Sequence, residues 1–287
     1  MNTFFCRAFQ CCFAVGARFL PWRTPEVFSG EGSLLRAADI LRENGLRRPF
    51  VIASRRQCAD EHFRALQEKL DEQDILLSIF SSVEPNPSVE TVEKIAAQYK
   101  IDSCDCFLVI GGGSPMDAAK AAAARLARPD KPLSQLVGLL KVRRRIPPLI
   151  AVPTTAGTGS ETTIAAVVTG SDHHKYAISD LCLIPRYAIL DPVLTVGLPP
   201  HITAETGMDA LTHAVEAYLS RFYNTKQTRL LAENAVVTIF THLERAYRDG
   251  TSLPDRAAML QASFDAGAAF TRASVGNVHA IAHTLGG

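Results

Sequence analysis

Cys106–Lys120 reads CFLVIGGGSPMDAAK, and its two halves follow different rules. Cys106 to Ile110 is an unbroken apolar run of β-prone residues, the pattern of a strand buried on both faces. It breaks at Gly111-Gly112-Gly113. Ser114 then stands where a helix N-cap would, with Pro115 at the first helical position and Asp117 three residues past the cap. That spacing predicts a capping box with the favoured proline inside it, and alanines from Ala118 to Ala124 carry the helix on. Three residues without Cβ let a ligand approach the backbone, and free N–H groups at a helix start attract an anion. The stretch is therefore read as strand, phosphate-binding turn and helix. A tight structural turn is the competing reading. The loop is not a Walker A sequence, since no Gly-Lys-Ser/Thr follows, and its third glycine comes too early for GxGxxG.

Working outward, strands and helices alternate. Ser33–Asn44 has helical spacing and stops at Gly45. Pro49–Ala53 is a strand, Glu61–Asp71 a helix, Ile75–Phe80 a strand and Ser88–Lys100 a helix, with a rigid turn at Glu84-Pro85-Asn86-Pro87. Such alternation predicts an α/β, Rossmann-like parallel sheet covered on both faces, with ligands at the carboxyl ends of its strands. Gly113 and Ser54 both fall at such ends. Downstream, the strand Pro148–Val152 runs into Pro153-Thr154-Thr155-Ala156-Gly157-Thr158-Gly159-Ser160-Glu161. Thr158 and Glu161 have the spacing of a second capping box. The loop reads as a second wall of a nucleotide cleft, against the plainer reading of a threonine-rich turn. Strands or turns follow at 165–169, 176–179 and 188–190. From Pro199 the pattern is helical throughout, so the expected division is a nucleotide-binding α/β domain over 1–195 and the start of a helical, metal-binding domain over 196–287.

Composition excludes several classes. A formal net charge of +1 over 287 residues argues against nucleic acid as a partner. The basic run Lys141-Val142-Arg143-Arg144-Arg145 precedes a strand and reads as a solvated loop. Seven cysteines without a CxxC pair suggest neither a zinc ribbon nor a disulfide framework and fit a reducing, cytoplasmic setting. No apolar run approaches the roughly 18 residues of a membrane span. The apolar first two dozen residues, with Arg7, Arg18 and Arg23, read as a leader helix over about 1–20 rather than a transit peptide.

In MDALTHAVEAYL, Met208–Leu219, Asp209 and His213 are four apart and share a helix face. His279 and His283 repeat that spacing in VHAIAHTL. Two such pairs among alanines and leucines suggest a metal site, because buried ionisable groups need a partner. One oxygen and several imidazole nitrogens suit Fe²⁺, Zn²⁺, Co²⁺ or Ni²⁺. Spacing alone nominates all four residues as ligands.

Taken together, these residues resemble the iron-dependent (group III) alcohol dehydrogenase family. The likeness rests on Pro85–Pro87, GGGSPMDAAK at Gly111–Lys120, PTTAGTGSE at Pro153–Glu161, GMDALTHAVEAY at Gly207–Tyr218 and HAIAH at His279–His283. It implies a dinucleotide-binding α/β domain followed by an all-helical domain, with nicotinamide and metal meeting between them. The expected activity is metal-dependent, NAD(P)-linked hydride transfer between a small alcohol or aldehyde and nicotinamide. A relative of glycerol dehydrogenase, or a non-catalytic nucleotide-binding fragment, is the alternative. By position, the resemblance assigns Gly112, Gly113, Ser114, Pro115, Met116 and Asp117 to the pyrophosphate and Thr154 and Thr155 to the adenosine side. Asn86, Val167, Lys175 and Leu194 are further cofactor contacts. Asp209, His213 and His279 match metal ligands, with iron expected and zinc the alternative. His283 matches a histidine beside the nicotinamide, a catalytic proton relay rather than a ligand. Oligomeric state stays open, a homodimer included.

Two departures follow. Members that prefer NAD carry an aspartate after the second strand; here Ser54 is followed by Arg55 and Arg56, which suits a 2′-phosphate, so NADP is expected to be accepted. The family's fourth metal ligand, another histidine, falls beyond Gly287. Either the sequence is a fragment, the favoured reading, or His283 turns to complete the metal site; a fragment leaves helical faces uncovered, so poor solubility is expected.

Overall fold

The structure, a computed structural model, describes residues 11, 14–170, 172, 174–220 and 223–285, with side chains to 282. Of the expected leader helix over about 1–20, residues 11 and 14–17 are helical and 18–20 form a turn and bend; the rest lies outside the described residues.

Six parallel strands form the main sheet: β1 (Glu26–Ser29), β2 (Pro49–Ala53), β3 (Ser78–Phe80), β4 (Cys106–Gly111), β6 (Leu149–Pro153) and β9 (Tyr187–Leu190), in the order β1-β9-β6-β4-β2-β3. Every residue of β2, β4, β6 and β9 is buried. That burial explains their continuous apolar runs, and the period of two sorts them between two cores. Phe50, Ile52, Phe107 and Val109 face helices α4 (Val89–Ile101) and α5 (Gly113–Ala127). Val51, Ala53, Leu108 and Ile110 face α1 (Arg36–Glu43) and α3 (Glu61–Asp71) on the other side. Helix α5 is buried at every position from Ala118 to Ala124, which is why its sequence is nearly all alanine. A bulkier side chain there would hold the helix off the sheet.

A small second sheet joins β5 (Gly138–Leu139), β8 (Lys175–Ser179) and β7 (Ala165–Thr169). Then come three long helices, α6 (Pro200–Leu219), α7 (Lys226–Arg248) and α8 (Leu253–Ala273), and α9 (Asn277–Leu285). Alanines line their mutual contacts: Ala210, Ala214 and Ala217 on α6, Ala232 and Ala235 on α7, Ala266 and Ala269 on α8. Among the described residues, no helix is long and apolar enough to cross a membrane.

Three expectations need correction. Residues 75–77 are not strand; β3 begins at Ser78. Neither predicted capping box forms: α5 is capped at Gly112, and the short 3-10 turn Ser160–Thr162 at Gly159. In both cases the acid is drawn into a buried network instead. A real box occurs where none was predicted, at helix α2 (Arg55–Cys58), where Ser54 and Gln57 bond reciprocally.

Candidate metal and nucleotide site

Helix α6 presents Asp209, His213 and Glu216 at intervals of four and three, one stripe on one face. His279 comes to that stripe from the first turns of α9. Ligand atoms of Asp209, His213 and His279 lie within 4.8 Å of one another. His279 Nε2 stands 3.5 Å from Asp209 Oδ1, and His213 Nδ1 stands 3.9 Å from Asp209 Oδ2, too far for a hydrogen bond. The imidazoles stack with centroids 4.2 Å apart, and Phe270 stacks on the outer face of His213 at 4.1 Å. His213 is buried, and its Nδ1 has no hydrogen-bond partner. A buried ring nitrogen without a partner beside a carboxylate and a second imidazole fits a divalent cation.

Burial pushes His213 down to about 4, which keeps its ring neutral and its lone pair available. His279 is raised, chiefly by its bond with Asp209. Sequence reading missed Glu216, although its place on the same stripe was legible. It accepts hydrogen bonds from His279 Nδ1 at 2.6 Å, Gly276 N at 2.8 Å and Val278 N at 2.6 Å. Burial works to raise its carboxyl, but these bonds together hold it below the usual range. His283 has no described side chain.

At the carboxyl ends of β4 and β6, the glycine turn and the threonine loop interlock. A Cβ on Gly112 would stand 3.1 Å from Thr155 Oγ1, and one on Gly113 would stand 2.9 Å from Thr158 Cγ2. These glycines serve loop-to-loop packing as well as any ligand. Pro115 lies over Gly111, and Met116 is buried. Asn86 N–H donates to Ser114 Oγ, and the Asn86 carbonyl accepts from Thr169 Oγ1. Asp117 accepts from Val167 N and Ser160 Oγ. Lys175 opens β8, paired with Thr169 of β7.

Lys120, fully buried, was also missed. Its Nζ reaches the carbonyls of Ser160, Thr163 and Ala165 and the hydroxyls of Ser160 and Thr163, at 2.5 to 3.1 Å. Burial lowers the lysine to about 8 and raises Asp117 to about 6 and Glu161 to about 7. The ammonium thus pins the threonine loop to α5.

That loop also touches the helices. A Cβ on Gly157 would stand 2.7 Å from Thr206 Cβ of α6. Gly159, at φ +58°, is so close to Gly267 of α8 that a Cβ would come within 2.6 Å of its Cα. One loop therefore packs against both the glycine turn and α6, the helix that carries His213. Beside it a cleft of about 490 Å³ is lined by Ser54, Thr154 and Leu194, together with Arg56, Glu31 and Asp60. Arg55 does not line it, so one of the two expected guanidinium groups stands at this cleft. Gln57 ties the Ser54 cap to the threonine loop through Thr154 Oγ1 at 3.0 Å.

A family model described as iron-containing alcohol dehydrogenase matches residues 24–192, and the C-terminal model of the same family matches residues 203–287. Among curated proteins, alcohol dehydrogenase 4 of Schizosaccharomyces pombe is 38% identical over 259 residues, 90% of this chain and 61% of that protein. The chain thus spans about six-tenths of that relative's length. Among solved structures, a 1,3-propanediol oxidoreductase superposes with a TM-score of 0.88 at 35% identity, covering 93% of this chain and 70% of that one. A sulfoacetaldehyde reductase from Bifidobacterium kashiwanohense, solved with NAD⁺, gives 0.82 at 32% identity over 93% of this chain and 71% of its own.

Proposed function

The chain belongs to the iron-containing alcohol dehydrogenase family, and from that premise we propose that it is built to transfer a hydride between a small alcohol or aldehyde and a nicotinamide cofactor, with a divalent metal, iron by family, at Asp209, His213 and His279. The observation that carries the proposal is the buried, unpartnered Nδ1 of His213 within reach of an aspartate and a second imidazole. When bound, such a cation acts as a Lewis acid on the substrate oxygen, and the nicotinamide carries the hydride.

The chain's own residues position these groups. The first turn of α5, from Gly112 to Asp117, offers N–H groups to the cofactor pyrophosphate. Asn86 and Val167 bond to that turn, Lys175 is a further proposed cofactor contact, and Ser54, Thr154, Thr155 and Leu194 take the adenosine end. The cleft's chemistry bears on the choice of cofactor. No carboxylate stands at position 54, and Arg56 supplies a cation for a 2′-phosphate, while Glu31 and Asp60 oppose it. We therefore expect NADP to be accepted alongside NAD. His283, on the helix that carries His279, is proposed to pass the proton to solvent. The division near residue 195 into nucleotide-binding and metal-binding parts, a cytoplasmic setting and homodimer assembly belong to the same proposal.

The test is reduction of propionaldehyde by the Fe²⁺-loaded protein, followed as loss of nicotinamide absorbance with NADH and NADPH in parallel. Turnover with both cofactors is expected. Nucleotide binding without turnover or stoichiometric metal would instead favour a non-catalytic nucleotide-binding fragment. A strong preference for NADH would refute the cofactor part alone.

A further inference from the structure

Glu216 makes three hydrogen bonds, all as acceptor: Oε2 takes His279 Nδ1–H and Gly276 N–H, and Oε1 takes Val278 N–H. The backbone pair is what a helix cap would do, because Gly276 and Val278 flank the start of α9. The third bond is not a capping bond. It fixes a proton on Nδ1 of His279 and so turns Nε2, the nitrogen 3.5 Å from Asp209, toward the cluster as the one a metal would take. The carboxylate is seated tightly: a Cβ at Gly276 would come within 2.8 Å of Glu216 Oε1, so any larger residue there would displace it. Its side chain is 8% exposed and that of His279 9%.

We propose that Glu216 is the positioning residue of the metal site, fixing the tautomer and orientation of His279 while docking the first turn of α9 onto α6. The inference rests on the metal reading given above. Charge supports it: the Asp209 and Glu216 carboxylates together supply the balance a divalent cation needs at a buried site. A cap alone would leave the His279 bond unexplained. A carboxylate that only paired with His279 would not need both backbone N–H groups. One side chain does both, so the helix cannot shift without moving the ligand.

The test is Co²⁺ binding by the whole chain, measured by competition with a chelator and by visible d–d absorption, in wild type, Glu216→Gln and Glu216→Asp. Thermal midpoints are taken without metal. Wild type should bind one ion. Glu216→Gln should bind about 10- to 100-fold more weakly, with a changed d–d spectrum and a metal-free midpoint within a few degrees of wild type. Glu216→Asp should recover part of the affinity. Unchanged Co²⁺ affinity and spectrum in Glu216→Gln would overturn the proposal. So would an affinity loss matched by collapse of the metal-free midpoint in both variants, which would make Glu216 a helix cap and no more. Absence of Co²⁺ binding by wild type would instead remove the metal reading itself.

Discussion

The Lys120 network and the His213 cluster are both buried and polar, yet they are finished differently. Around Lys120 every donor has found an acceptor, drawn from three carbonyls and two hydroxyls between Ser160 and Ala165. Its loose ends among the described residues are Glu161 Oε1 and the neighbouring Thr162 Oγ1, and burial raises the Glu161 carboxyl to about 7, which lessens the cost of leaving it without a partner. Around His213 a ring nitrogen, an unpaired acceptor, faces a carboxylate and an imidazole across distances longer than hydrogen bonds. A satisfied network holds a shape. An unsatisfied one, equally buried, waits for a ligand.

The contrast breaks most visibly if Lys120 turns out not to be structural. Lys120→Met roughly keeps the length of the side chain but takes the ammonium from five acceptors and leaves two buried carboxyls without their cation. We expect it to destabilise the fold by about 3–5 kcal/mol in urea unfolding, the usual cost of removing one partner from a buried ionic cluster. An unchanged unfolding midpoint would show that the ammonium does not brace the loop.

A smaller effect sharpens the contrast through pH. Folded Asp117 and Glu161 titrate at about 6 and about 7, above their ordinary 3.8 and 4.5. Their contribution is full at low pH and is lost as pH rises toward 7. His213 runs the other way: lowered to about 4 from 6.5, it contributes fully above 6.5 and loses that as pH falls toward 4. Measured without metal between pH 4.5 and 7.5, Glu161→Gln should gain on wild type toward the alkaline end, and His213→Leu toward the acid end. Parallel curves for the two variants would deny that the regions are finished differently.

Much of this was legible in the residues. The buried strands announced themselves as uninterrupted apolar runs, and α3 was bounded correctly at Glu61 and Asp71. The Asp209–His213 stripe on α6 showed in its spacing of four. Other features hid behind ambiguous patterns. Ser114-x-x-Asp117 and Thr158-x-x-Glu161 have the spacing of capping boxes, yet both acids turn inward toward a lysine that sequence gave no reason to bury. Strand β1 was not anticipated, since a four-residue edge strand with an exposed, irregular pattern carries no period. Glu216 needed one fact that no spacing supplies: that the chain returns at Gly276, sixty residues on, to lay two N–H groups and an imidazole against it.

The most direct test of the metal site is equilibrium dialysis of the metal-free chain against Fe²⁺ under anaerobic conditions, with His213→Ala alongside. One ion per chain in wild type and less than about a tenth of that in the variant is the expected result, since losing one of three protein ligands at a buried site removes most of its affinity. No saturable binding by wild type, or equal binding by the variant, would contradict it.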